Sequence, residues 1–124
     1  MTPKRPMNLN LWTLKFPPMA IVSIFHRISG VIIFLLLPFM LYLLQLSLKS
    51  SASFDDCLMM LSMIEYKFLV WVFLAAFFYH LIAGIRHLMM DLGFGESLNA
   101  GRISAILVML LGVVMTILVG VWLW

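Results

Sequence analysis

With 124 residues, 65% hydrophobic and only 10% charged, the chain cannot clothe a soluble globule, which carries roughly 45–50% apolar and about 25% charged residues. Lipid must be the solvent for most of its surface, and this length suits one small membrane domain. A net charge of +3 is too small and scattered to argue for nucleic acid, and a single cysteine, Cys57, excludes an intrachain disulfide, a CxxC pair and a cysteine-based metal site.

The chain divides into a polar N-terminal arm (1–18) and a membrane domain (19–124). The arm carries Lys4, Arg5 and Lys15 and is punctuated by Pro3, Pro6 and Pro17. Its polar opening, and an apolar run longer than the roughly 7–15 residues of a signal h-region, predict that the first helix is kept as a span and not cleaved. Pro17-Pro18 suits the start of a helix. A helical pattern follows from Met19, amphipathic around Ser23, His26, Arg27 and Ser29, then wholly apolar, with a first membrane span over about 22–46. Pro38 lies inside it and predicts a mild kink, tolerable where neighbours re-satisfy the freed carbonyl. A polar connection follows, in which Ser53 to Glu65 is expected to form a short interfacial helix, with Ser53 as N-cap and Asp55-Asp56 in its first turn. The second span covers about 67–90. A glycine-containing turn from Leu92 to Gly101 leads to a third span over about 103–124, closed by Trp122 and Trp124 as an interfacial aromatic belt.

Three spans place the arm, the start of the first span and the loop between the second and third on one side. That side holds Lys4, Arg5, Lys15, Arg27, Arg86 and Arg102, against Lys49 and Lys67 on the other. The positive-inside rule makes the N-terminus cytoplasmic, or matrix-facing in a mitochondrion.

One residue stands out. Between Phe68 and Ile85, His80 is the only ionisable side chain besides the phenol of Tyr79. A polar group at that depth needs a partner, and imidazole is a common haem and metal ligand. Six residues at 1.5 Å each put it about 9 Å below Arg86. His26 and His87 fall at the same inner boundary. His80, Gly84 and His87 share a helix face, as do Ser23, His26, Arg27 and Gly30. A glycine one turn from a buried histidine leaves room for a flat macrocycle or for a close helix, so His80 is either a cofactor ligand or a hydrogen-bonded packing residue. The Ser–His–Arg cluster suits a quinone carbonyl or haem propionates, and equally suits headgroup contact by snorkelling side chains. Arg86 reads as a snorkelling anchor that Asp91 can cap or pair with; no catalytic role attaches to either. No nucleophile–base pair, phosphate loop or carboxylate pair is present, so redox chemistry needs a borrowed cofactor.

These residues carry a resemblance. Ser23-Ile24-Phe25-His26-Arg27-Ile28-Ser29-Gly30 matches the S-x-x-H-R-x-S/T-G signature of the cytochrome b556 large membrane-anchor subunits of succinate dehydrogenase. His80 through Asp91 matches their second signature, H-x-x-x-G-x-R-H-L/M-x-x-D, and Arg5-Pro6 with Asn8-Leu9 resembles their R-P-x-N/S-L/P arm. The resemblance implies an all-α membrane protein whose three transmembrane helices form half of a haem-binding anchor bundle with a second small subunit. It implies a four-subunit complex with a flavoprotein that oxidises succinate and an iron–sulfur subunit that relays electrons. The anchors would bind haem b and ubiquinone in a bacterial or mitochondrial inner membrane, with no catalytic residue on this chain. His80 would be one axial ligand of the haem iron, the other coming from the partner anchor. His26 and Arg27 would contact haem propionates, and Ser23 and Arg27 would line the quinone site. Two other functions remain open: the anchor of a quinol:fumarate reductase, and a cofactor-free structural or assembly subunit.

Overall fold

The computed structural model describes residues 9–10 and 15–124. Lys4, Arg5 and the Arg5-Pro6-Asn8 part of the arm motif lie outside the described residues. The chain forms four helices: α1 (Pro18–Lys49), α2 (Ser51–Ser62), α3 (Ile64–Asp91) and α4 (Leu98–Leu123). Three of them, α1, α3 and α4, are long and apolar enough to cross a membrane. At 1.5 Å per residue each exceeds the roughly 30 Å hydrocarbon core.

Helix α1 starts with Pro18 in its first turn and runs unbroken through Pro38, so the bend expected there does not interrupt it. The N-cap of α2 lies three residues before the expected Ser53. Ser50 is the N-cap, its Oγ accepts from Ser53 N–H at 3.1 Å, and Ser53 Oγ in turn accepts from Ser50 N–H at 2.9 Å. A serine at N3 here replaces the glutamate usual in a capping box. Ser53 also donates to the Leu46 carbonyl at 2.8 Å, one of the last carbonyls of α1, which the helix itself leaves unpaired. That double use explains the shift: Ser53 binds both helix ends only from inside α2. Asp55 and Asp56 consequently lie beyond its first turn. Gly93 and Gly95 adopt φ of +92° and +67° in the turn after α3, a left-handed conformation that glycine enters without a Cβ penalty. The turn closes early, and α4 begins at Leu98 with Ser97 Oγ accepting from Ala100 N–H.

The bundle has two small cores. Val22, Ala83, Ala105 and Val108 join the start of α1, the end of α3 and the start of α4. Leu43, Cys57 and Val70 join α1, α2 and α3 at the opposite end. Most other large apolar side chains face outward; Phe34 is 74% exposed and Val121 73%. In water such a surface would aggregate, whereas in lipid it is the solvated face. Trp124 packs edge-on against Trp71 beneath the ammonium of Lys67, 5.5 Å from its ring centroid, at the end away from the histidines.

Candidate functional site

The site lies where α1 crosses α3. His26 and His80 stack face to face, with ring centroids 4.1 Å apart and planes 17° from parallel. The crossing is close because each helix offers a glycine to the other's imidazole. A Cβ on Gly30 would stand 3.2 Å from His80 Cε1, and one on Gly84 would stand 3.4 Å from His26 Nε2. The sequence presents Gly84 as a relief for its own helix's histidine. In the fold it makes room for His26 of the facing helix, and Gly30 serves His80.

His80 is half-buried and held through one nitrogen. Nδ1 lies 3.1 Å from the His26 carbonyl oxygen and 3.0 Å from Ser29 Oγ. A carbonyl only accepts, so Nδ1 carries the proton and Nε2 of the neutral ring carries the lone pair. Nε2 has no hydrogen-bond partner among the described residues. No side-chain nitrogen or oxygen there is both fully buried and unpartnered, so Nε2 reaches the accessible surface of the chain. The sequence left two options for His80, packing or ligation. The two ring nitrogens divide them: one is tied into the fold and one is available.

Ser23, His26 and Arg27 line a cavity of about 160 Å³ together with Val22, Ala83, Arg86 and His87. Ser23 and Arg27 are exposed and make no side-chain hydrogen bond among the described residues, so their donors remain available. A cavity this small falls below the roughly 300–1,000 Å³ of a complete ligand pocket. A larger cleft of about 560 Å³ between α1, α3 and α4 is almost wholly apolar, with Ser29, Tyr79, Trp71 and Thr116 as its polar groups. Among the described residues no cluster of three or more His, Cys, Asp or Glu side chains could enclose a bare metal ion. A porphyrin iron asks less, since it needs only axial ligands, and an accessible Nε2 whose opposite nitrogen is fixed by a carbonyl has the chemistry of such a ligand.

Arg86 is placed otherwise than the sequence suggests. Its Nε donates to Ser104 Oγ and its Nη2 to the Gly101 carbonyl, both at 3.0 Å, and Ser104 Oγ donates to the same carbonyl. It clamps the end of α3 to the first turns of α4 and does not simply snorkel. Asp91 sits 3.9 Å from His87 Nε2, one turn along an exposed face, and not beside Arg86. Two contributors carried no role in the sequence. Tyr79 donates to the Val22 carbonyl at 3.1 Å, and Ser29, 4% exposed, contacts both histidines. Ser29 was detectable by its spacing, three residues beyond His26, which turns a hydroxyl back toward the His26 carbonyl.

Residues 1–119 match the family described as succinate dehydrogenase/fumarate reductase transmembrane subunit. A succinate dehydrogenase cytochrome b556 subunit of Coxiella burnetii is 50% identical over 125 aligned residues, covering 100% of both chains. One from Rickettsia felis is 32% identical over 120 residues, 95% of this chain and 92% of that protein. A succinate dehydrogenase cytochrome b560 subunit of Porphyra purpurea is 38% identical over 90 residues, 70% of this chain and 71% of that protein. With three apolar spans and likeness along its full length, the chain belongs to the succinate dehydrogenase/fumarate reductase transmembrane subunit family.

Proposed function

We propose that this chain binds haem b and ubiquinone as the larger membrane anchor of a succinate:quinone oxidoreductase. The single observation that carries this is His80 itself, an imidazole at bilayer depth with Nδ1 committed to a backbone carbonyl and Nε2 accessible. Its partners would be a flavoprotein, an iron–sulfur subunit and a second small anchor that supplies the other axial histidine. The histidine end of the bundle would face the cytoplasm of a bacterium, because Lys15, Arg27, Arg86 and Arg102 gather there.

The residues divide the work by position. His80 would hold the haem iron through Nε2, and a bound haem b would supply a one-electron store. His26 and Arg27 face the cavity from the α1 side and suit propionate carboxylates, to which a guanidinium donates in paired fashion. Ser23, one turn before Arg27, offers a hydroxyl to a quinone oxygen. As the quinone takes up two electrons and two protons to become quinol, Ser23 and Arg27 stabilise the charge developing on that oxygen. Succinate supplies the two electrons when it is oxidised to fumarate on the flavoprotein, and this chain transforms no substrate. The small volume of the cavity supports completion of the quinone site by neighbouring subunits. The curated relatives cited are named for succinate dehydrogenase, which favours quinone reduction over fumarate reduction.

The test is a reduced-minus-oxidised absorption spectrum of the complex purified with its partner subunits. A b-type α band at a stoichiometry of one haem per anchor pair is expected. A fully assembled complex without that band would leave the chain as a cofactor-free assembly subunit.

A further inference from the structure

Ser29 has no place in the proposed chemistry, yet it is the more buried of the two buried serines among the described residues. It is 4% exposed, donates to the His26 carbonyl at 2.7 Å and lies 3.0 Å from His80 Nδ1. The same Nδ1 is 3.1 Å from that carbonyl, so three polar atoms close a triangle. Counting hydrogens fixes their direction. The carbonyl has none, and the hydroxyl's one hydrogen points to the carbonyl, so the Nδ1 proton must serve both oxygens. Ser47 and Ser62 also bond back to the carbonyl three residues earlier, at 2.7 and 2.6 Å. Both bonds are exposed and neither serine touches a histidine, so helix back-bonding alone does not account for the second contact of Ser29, to a residue 51 positions away.

We propose that Ser29 is a positioning residue for the haem iron: with the His26 carbonyl it holds the Nδ1 proton of His80, which fixes Nε2 as the ligating atom and strengthens its electron donation. This rests on the ligation by His80 proposed above. A ligand imidazole whose far N–H is hydrogen-bonded is the more basic donor, and stronger donation favours ferric over ferrous iron. Loss of the Ser29 oxygen leaves one acceptor where there were two. The reduction potential of the haem therefore rises when the hydroxyl is removed.

The experiment compares Ser29→Thr, Ser29→Val and Ser29→Ala in the purified complex by haem content and optical redox titration. Thr and Val match in shape and differ by a hydroxyl against a methyl, which separates hydrogen bonding from bulk. The Thr variant is expected to keep the wild-type midpoint. The Val and Ala variants are expected to shift positively by a two- to tenfold change in the ferric/ferrous ratio, about 20–60 mV at roughly 59 mV per tenfold for one electron. Loss of haem from Val with retention in Thr would support the same role. Wild-type midpoints in both Val and Ala, or equal shifts in Thr and Val, would overturn it. Failure of all three variants to assemble would assign Ser29 to helix packing alone and overturn it too. A wild-type complex lacking a b-type spectrum is a different failure, that of His80 as ligand.

Discussion

Gly30→Ala probes the α1–α3 crossing with a single methyl. The new Cβ would stand 3.2 Å from His80 Cε1 and 3.6 Å from Nδ1, inside the roughly 3.5–4.0 Å optimum for carbon contacts. The imidazole cannot yield freely, because Nδ1 is held at 3.0 and 3.1 Å by Ser29 and the His26 carbonyl. Retreat by a few tenths of an ångström would stretch those bonds to about 3.4 Å, beyond the usual range of about 2.7–3.2 Å. Overpacking costs about 1–3 kcal/mol, and each weakened hydrogen bond forfeits up to about 0.5–1.5 kcal/mol. Against this, alanine gains about 0.5–1 kcal/mol over glycine within a helix. The balance is a loss of about 1–5 kcal/mol concentrated at His80, which is roughly fivefold to a few thousandfold in haem affinity at about 1.4 kcal/mol per tenfold. The assay is haem retained per complex during graded detergent washing, with helix content followed by circular dichroism. Unchanged helicity with accelerated haem loss is expected. Wild-type retention would refute the claim that Gly30 is there to seat His80.

Three further changes address other parts of the chain. Ser23→Ala or Arg27→Leu should raise the apparent KM for quinone about tenfold or more, leaving succinate oxidation by an artificial acceptor unchanged; a parallel fall in both activities would point to faulty assembly. Arg86→Leu removes the Nε and Nη2 bonds to Ser104 and Gly101 and should destabilise the α3–α4 end by about 3–6 kcal/mol, at about 1.5–3 kcal/mol for each of two charged-donor bonds. Arg86→Lys should recover only part of this in thermal melts, because an ammonium lacks the fork that reaches both acceptors. Gly112→Ala would put a methyl 2.7 Å from Tyr79 Cδ2, so thermal stability should drop while the haem spectrum keeps its shape.

Much of the architecture is written locally. Apolar runs around His80 and after Arg102 state the spans, because in lipid each helix must satisfy its own backbone and needs no distant partner to form. The face shared by Ser23, His26 and Arg27 is equally local, being a matter of helical period, and these side chains do line one cavity. What the sequence hides are relations between helices. That Gly84 serves His26 while Gly30 serves His80 depends on the rotation and register of α1 against α3, which no single segment encodes. Arg86 reads locally as a headgroup anchor because its acceptors, Gly101 and Ser104, lie on the next helix, across a turn. Ser50 and Ser53 are equally good capping residues in isolation. Only the unpaired Leu46 carbonyl at the end of α1 decides between them.

The proposed haem binding rests most on Nε2 of His80, and the complex carrying His80→Ala tests it directly. The spanning run survives the change, so the variant should insert and assemble with its partner subunits, and its reduced-minus-oxidised spectrum should lose the b-type band or show a haem that washes out readily. An assembled variant with full haem content, an unaltered α band and the wild-type midpoint would contradict it.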